Sequence, residues 1–284
     1  MLHATNGWGK IISSVDGTRP TTAFGASVVP LTNSTLGLYT TLLAGASVTD
    51  DVYGIEININ NVGQTTVARD CLATLAFDPA GGTTFTDFVD LLCGSASQYA
   101  GLTGGGSGGG ARFWFPLWIK AGTTIGMRGS VSTVDVTAFN AFVKLYCKPS
   151  RPELIWCGQK IEQLGVVVAS STGTSVTAGT TSEGTWTSIG TTTRNHRFYE
   201  FGFGLADTAS SSNGYHVDIS IGDASNKHPI ILDAYAGTTT AEMATKTMCP
   251  TWAESKSGDI VYARTQVGPS STDSTTIAIY AMGD

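Results

Sequence analysis

The sequence predicts an all-β chain built as two tandem antiparallel β-sandwich domains of jelly-roll type, related by internal duplication. Three observations predict it. Apolar and polar residues alternate in short runs, as with Ile55, Ile57 and Ile59 against Glu56, Asn58 and Asn60, which marks strands with one buried face. Turn-forming clusters such as Asp78-Pro79-Ala80-Gly81-Gly82, Ser210-Ser211-Ser212-Asn213-Gly214 and Gly268-Pro269-Ser270-Ser271 separate the runs. The runs also recur in the same order in both halves. Tyr53-Gly54-Ile55-Glu56-Ile57-Asn58-Ile59 is matched by Tyr199-Glu200-Phe201-Gly202-Phe203-Gly204-Leu205, and Leu72 to Asp78 by Val217 to Asp223. Phe115-Pro116-Leu117-Trp118 answers to Cys249-Pro250-Thr251-Trp252, and Gly122 to Arg128 answers to Gly258 to Arg264. Val143-Lys144-Leu145-Tyr146 answers to Ile277-Ala278-Ile279-Tyr280, and Tyr39 and Trp186 fall at matching positions.

Taken in order, residues 1–19 carry few strand signals and are read as an N-terminal arm that docks on another subunit. Residues 20–148 form the first sandwich. Residues 149–153 are a linker in which Pro149 and Pro152 disfavour helix and central strand, giving a short, stiff connector that sets the domains side by side. Residues 154–284 form the second sandwich, whose start at Trp156-Cys157-Gly158-Gln159-Lys160-Ile161 resembles Gly7-Trp8-Gly9-Lys10-Ile11. Helix is limited to single turns, around Thr86 to Leu92 or Thr240 to Thr245. The first copy carries extra residues between Asp78 and Phe115, chiefly Gly101 to Gly110. No phosphate-binding motif surrounds this stretch. It reads as a flexible surface loop or as one ordered against a neighbouring subunit. In the second reading Leu102, Gly104, Gly105, Gly106, Gly108, Gly109 and Gly110 are interface candidates, because missing side chains permit close backbone approach.

Composition narrows the function classes. The 284 residues suit two cores, and 41% are hydrophobic. Charged residues are only 13%, against about 25% in an average soluble domain, so the surface is polar but weakly charged. A net charge of −6 with dispersed basic residues argues against binding a phosphate backbone. No run of about 18 apolar residues predicts a membrane span. Met1 to Asn6 lacks the basic start and apolar core of a secretory signal, so synthesis in a cytoplasm is expected. Five cysteines without CxxC spacing read as buried free thiols; Cys147 and Cys157 flank the junction, and their pairing is left open.

No motif announces chemistry. His216 and Asp218 share one strand face as a possible ligand face, with Asp223 the nearest further candidate. An exposed polar face explains them equally well. No GxSxG elbow is present, and the second copy's acidic positions are mostly unmatched in the first, as with Ala73 opposite Asp218. No catalytic residue, metal or cofactor is therefore expected, and the chain is read as a non-enzyme. Pro116, Trp118, Pro250 and Trp252 are read as repeated structural corners, whereas Trp8 and Trp114 lack clear matched partners of equal type and are interface or ligand candidates.

The Gly/Ser/Thr-rich strands of Ala169 to Gly184 and the low-charge turns around Thr272 to Thr276 resemble those of tailed-bacteriophage virion structural proteins. That resemblance implies a β-sandwich component of the capsid exterior, collar or tail, made in the bacterial cytoplasm. It would assemble as a homo-oligomer, a trimer or ring, with itself and other virion proteins, without nucleic acid or membrane. The alternative is a glycan- or receptor-binding β-sandwich of a phage tail or fibre.

Overall fold

The expected runs become strands, some buried in alternation and others, such as residues 70–78 and 124–131, buried on both faces almost throughout. The computed structural model describes residues 8–15, 25–32, 35–64, 70–94, 96–97, 109–132, 138–149, 155–205, 213–238, 245–246, 248–268 and 274–283. The first half contributes β1 (Trp8–Ser13), β2 (Ala26–Val28), β3 (Leu31–Thr32), β4 (Thr40–Leu43), β5 (Val52–Gln64) and β6 (Asp70–Asp78). It continues with β7 (Thr86–Gly94), β8 (Ala96–Ser97), β9 (Gly109–Phe115), β10 (Thr124–Val131) and β11 (Phe139–Pro149). The second half contributes β12 (Ile161–Leu164), β13 (Thr174–Thr177), β14 (Thr187–Thr191), β15 (His196–Leu205) and β16 (Asn213–Gly222). It ends with β17 (Lys227–Thr238), β18 (Thr245–Lys246), β19 (Thr251–Ser255), β20 (Ile260–Val267) and β21 (Ser274–Met282). Two short 3-10 turns are the only helical segments among the described residues. The chain is all-β, as expected.

The strands form two sheets, and both cross from one half to the other. The first runs β1-β11-β5-β9-β18-β17-β16-β20-β14, with β2 on β11 and β8 on β5. The second runs β12-β21-β15-β7-β6-β10-β3, with β13 on β21, β19 on β15 and β4 on β10. Equivalent strands therefore exchange sheets: β5 and β11 lie in the first, their counterparts β15 and β21 in the second. Registers repeat with them. Val143 stands opposite Ile57 as Ile277 stands opposite Phe203, and Leu145 opposite Ile55 as Ile279 opposite Phe201. Both junctions are short parallel contacts, Thr245 and Lys246 beside Gly110 and Ala111, and Phe203 beside Cys93. Asp78 and Asp223 cap equivalent turns, accepting the amides of Ala80 and Thr84 and of Ser225 and Asn226 respectively.

Two apolar clusters fill the interior. One gathers Ile55, Ile57, Ile59, Leu75, Leu91, Phe113, Phe115, Val143 and Leu145. The other gathers Phe201, Phe203, Tyr215, Val217, Ile219, Val261, Ile277 and Ile279. The first also recruits Phe198, Ala278, Tyr280 and Met282 from the second half. Tyr280 meets Phe113 and Phe115 edge-on at 5.7 and 6.0 Å. Its hydroxyl donates to the Asp90 carbonyl and accepts from the Leu92 amide, so the ring is fully buried without an unpaired polar atom.

This contact explains the Phe-Gly-Phe-Gly run of β15. Phe201 and Phe203 point into the second core, whereas Gly202 and Gly204 face β6 and β7 of the first half. A Cβ on Gly202 would lie 2.8 Å from the Leu92 carbonyl oxygen, and one on Gly204 would collide with Asp70 and Thr276. The first copy has Glu56 and Asn58 at these places, so its corresponding face is polar.

Several expectations are corrected. Residues 8–13 of the supposed arm form β1, which pairs with β11 of the same chain from Trp8 opposite Pro149 to Ser13 opposite Lys144; residues 1–7 and 16–19 lie outside the described set. Pro149 closes β11 instead of opening a linker, and residues 150–153 are not described. Thr86 to Leu92 is strand, because Val89 and Leu91 face the core opposite Leu75 and Ala73. Of the second suggested helical turn, only Thr245 is described, and it belongs to β18.

Replacing Gly202 by Ala is expected to lower the unfolding free energy in urea by about 1–3 kcal/mol, since the β7 backbone must shift to admit the methyl group. A change of a few tenths would mean that β15 and β7 are not closely packed.

Candidate functional site

Each copy places an arginine over an aromatic ring beside carboxylates, at positions matched in the sequence. On β10, Arg128 lies 4.5 Å over Tyr39 and binds Asp87, which also accepts the Tyr39 hydroxyl at 2.8 Å. On β20, Arg264 lies 4.4 Å over Trp186. Its Nε and Nη2 reach Asp218 Oδ2 at 2.9 and 2.8 Å, and Nη2 also pairs with Glu183. Strand register causes this: β16 sets Asp218 opposite Arg264 and His216 opposite Gln266.

The second copy elaborates the station into a shallow depression lined by Glu183, His216, Asp218, Asp233, Arg264, Thr265 and Gln266. A bulge between β16 and β17 holds Asp233 at φ 52°, and its amide donates to Asp218 Oδ1 at 2.8 Å. Glu183, Asp218 and Asp233 bring carboxylate oxygens within 4.8 Å of one another. His216 Nδ1 lies 3.8 Å from Asp233 Oδ1. Asp218 is buried beneath, whereas Asp233 and His216 face solvent. The expected His216/Asp218 face thus exists, but its further members are Glu183, Asp233 and Arg264. Asp223 instead caps its turn. Arg264 bonds Asp218 and Glu183 from within but offsets only one carboxylate charge, and the solvent-facing Asp233 and His216 offer polar atoms to a polar or cationic group.

The first copy carries a different station. Glu56, buried on the outward face of β5, receives Arg112 Nη2 at 2.8 Å, Asn58 Nδ2 at 2.9 Å, Lys144 Nζ at 3.2 Å and the Tyr146 hydroxyl at 2.8 Å. Burial pushes its pKa up, but the bonds from Arg112, Asn58 and Tyr146 and the charge of Lys144 outweigh this and bring it to about 2. The Tyr146 hydroxyl is shifted upward, by burial first and then by Glu56. Trp8 is half-buried against Tyr146, ring centroids 5.5 Å apart.

A third polar group lies inside the junction of the halves. Glu200 on β15 and Lys246 on β18 are both fully buried, with Nζ 2.5 Å from Oε1. Cys249 N donates to both Glu200 oxygens at 3.2 and 3.3 Å, and Phe201 N donates to Oε1 at 3.1 Å. Lys246 Nζ also donates to the Arg112 carbonyl at 3.1 Å, 4.4 Å from the Phe113 ring and 4.8 Å from that of Phe201. Burial raises the pKa of Glu200 and lowers that of Lys246, each partly opposed by the partner's charge.

The remaining predicted residues fall as follows. Trp114 packs over Gly54 and against Phe198, so its contacts lie within the chain. Gly109 and Gly110 belong to β9, opposite Val62 and beside Thr245; Leu102, Gly104, Gly105, Gly106 and Gly108 lie outside the described residues. At the corners the anchors are buried Pro116 and Leu117 and half-buried Pro250, while the Trp118 and Trp252 rings stand 39% and 55% exposed. Trp252 meets Trp156 at 5.6 Å and Phe198 at 5.4 Å, and the Trp118 amide donates to Gly158, two residues from Trp156. Cys147 is buried and Cys157 half-buried, and no disulfide joins them.

Glu56 lowers its pKa on folding, so its stabilisation is complete above the ordinary carboxylate pKa and is lost as pH falls through about 2. Glu56→Gln is expected to cost about 2 kcal/mol at neutral pH, discounted for the solvent reaching Arg112 and Lys144. That difference should shrink between the ordinary carboxylate pKa and about 2 in acid titrations of urea unfolding; a difference independent of pH would refute the ionised assignment.

No protein-family model matches the chain. No curated protein matches it either. Among solved structures, PNGF-II in a C2 crystal form aligns over 97% of this chain at 6% identity and a TM-score of 0.38, and this chain spans 65% of its length. A peptide-N(4)-(N-acetyl-β-D-glucosaminyl) asparagine amidase aligns over 96% of both chains at 13% identity and a TM-score of 0.34. The N-terminal CBM22-1–CBM22-2 tandem domain of Paenibacillus barcinonensis Xyn10C aligns over 99% of this chain and 100% of its own, at 11% identity and a TM-score of 0.27. Similarities this slight transfer neither substrate nor reaction. The expectation of a non-enzyme is nevertheless withdrawn, because an amidase is among the structures that align along nearly the whole chain.

Proposed function

We propose that the chain is a structural component of a bacteriophage virion that works as a homo-oligomer, on the capsid exterior, collar or tail. The observation that carries this reading is the set of large apolar side chains standing in solvent on a weakly charged surface. Val29, Leu31 and Leu38 lie at or near β2 and β3 in the chain, with Leu38 89% exposed. Leu232 and Tyr235 lie on β17, and Trp118 and Trp252 at the two corners. Exposed groups of this kind mark surfaces that meet a partner, and few charges around them lower the desolvation cost of a permanent interface. Coding sequences for a capsid and a portal protein are the expected genomic neighbours.

A second reading, a glycan- or receptor-binding module, is favoured by Trp252. Its indole is half in solvent and braced by Trp156 and Phe198, which holds an apolar ring ready for a sugar face to stack on.

Sedimentation at concentrations on the order of 10 μM is expected to show an oligomer, which Leu38→Asp or Leu232→Asp should dissociate, given the cost of burying an unpaired charge. A monomer that also fails to join purified particle components would overturn the assembly reading. On a glycan array the assembly reading expects no binding. Binding that is abolished by Trp252→Ala would establish the second reading instead.

A further inference from the structure

The Glu200–Lys246 contact has the geometry of a reaction as well as of an ion pair. We propose that Lys246 Nζ and Glu200 Cδ condense to an intramolecular isopeptide bond that joins β15 of one sheet to β18 of the other. The nucleophile and the acid are already in contact at 2.5 Å and are closed off from water, with the Phe113 and Phe201 rings at the amine. Held contact replaces the improbable encounter of amine and acid, which removes the entropic part of the barrier to such a condensation.

The step balances without any added reagent. The Lys246 ammonium passes a proton to the Glu200 carboxylate, leaving a neutral amine and a neutral acid, the forms that burial favours at each group. The amine lone pair attacks Cδ, and the carbonyl oxygen becomes an oxyanion. The amides of Cys249 and Phe201 already donate to the Glu200 oxygens and are placed to hold that charge. A proton moves from Nζ to the departing hydroxyl, the C–O bond breaks, and one water leaves. One C–N bond forms, one C–O bond is lost, and nothing is oxidised or reduced. The product discharges two buried groups whose desolvation a salt bridge offsets only in part. It also closes the β16–β17 hairpin into a covalent loop, at the place where the sheets pass from one half to the other.

The test is mass spectrometry of the purified, folded chain. The intact mass is expected to fall short of the sequence mass by one water, and Lys246→Arg should restore it. If that variant does not fold, a tryptic digest of the unaltered chain decides alone. Cleavage after Lys246 should be absent, and residues 198–227 should appear joined to residues 228–256 as one branched peptide lacking a water. An intact chain at full sequence mass, with a linear peptide ending at Lys246, would overturn the proposal.

Discussion

The structure turns on the contact between the outward face of β15 and β21 and the first half of the chain. A sandwich strand normally presents one face to its core and the other to solvent. Here Phe201, Phe203, Ile277 and Ile279 serve the second core, while Phe198, Tyr280 and Met282 of the same two strands serve the first. Two strands buried on both faces tie the cores together. The Tyr280 hydroxyl bridging Asp90 and Leu92, and the close approach of Gly202 to β7, fix the geometry of that tie.

The same contact explains why the two copies differ in chemistry. Equivalent outward positions hold Glu56 and Asn58 in one copy and Gly202 and Gly204 in the other. Where β6 and β7 close on β15, at Gly202 and Gly204, side chains are absent; at the matching positions of the first copy Glu56 gathers Arg112, Lys144 and Tyr146 around itself. The Arg264 station differs from its counterpart at Arg128 for a related reason. A bulge at Asp233 and the segment bearing Glu183 and Trp186 add carboxylates that the first copy lacks.

Much of this was legible in the sequence. Alternation and repeated order identified the strands, the duplication and the shared face of His216 and Asp218, because these depend on local period alone. Glu183, Asp233 and Arg264 were not legible as one site. They come together through strand pairing and a bulge, neither of which leaves a periodic trace. Glu200 with Lys246 was hidden for the same reason, the partners lying on strands of different sheets. The one available signal was a glutamate at a position whose repeat partner, Gly54, has no side chain. Trp118 and Trp252 hold repeated places beside Pro116 and Pro250, but repetition alone carried no sign that their rings stand 39% and 55% exposed.

This shared face makes two repeats one cooperative body. Hydrogen exchange of a Tyr280→Ala variant tests it most directly, with the amides of β6 and β7 in the first half followed beside those of β16 in the second. The account predicts that protection falls in both halves together, although the substitution lies in only one. Unchanged protection in β6 and β7, with loss confined to the second half, would contradict it.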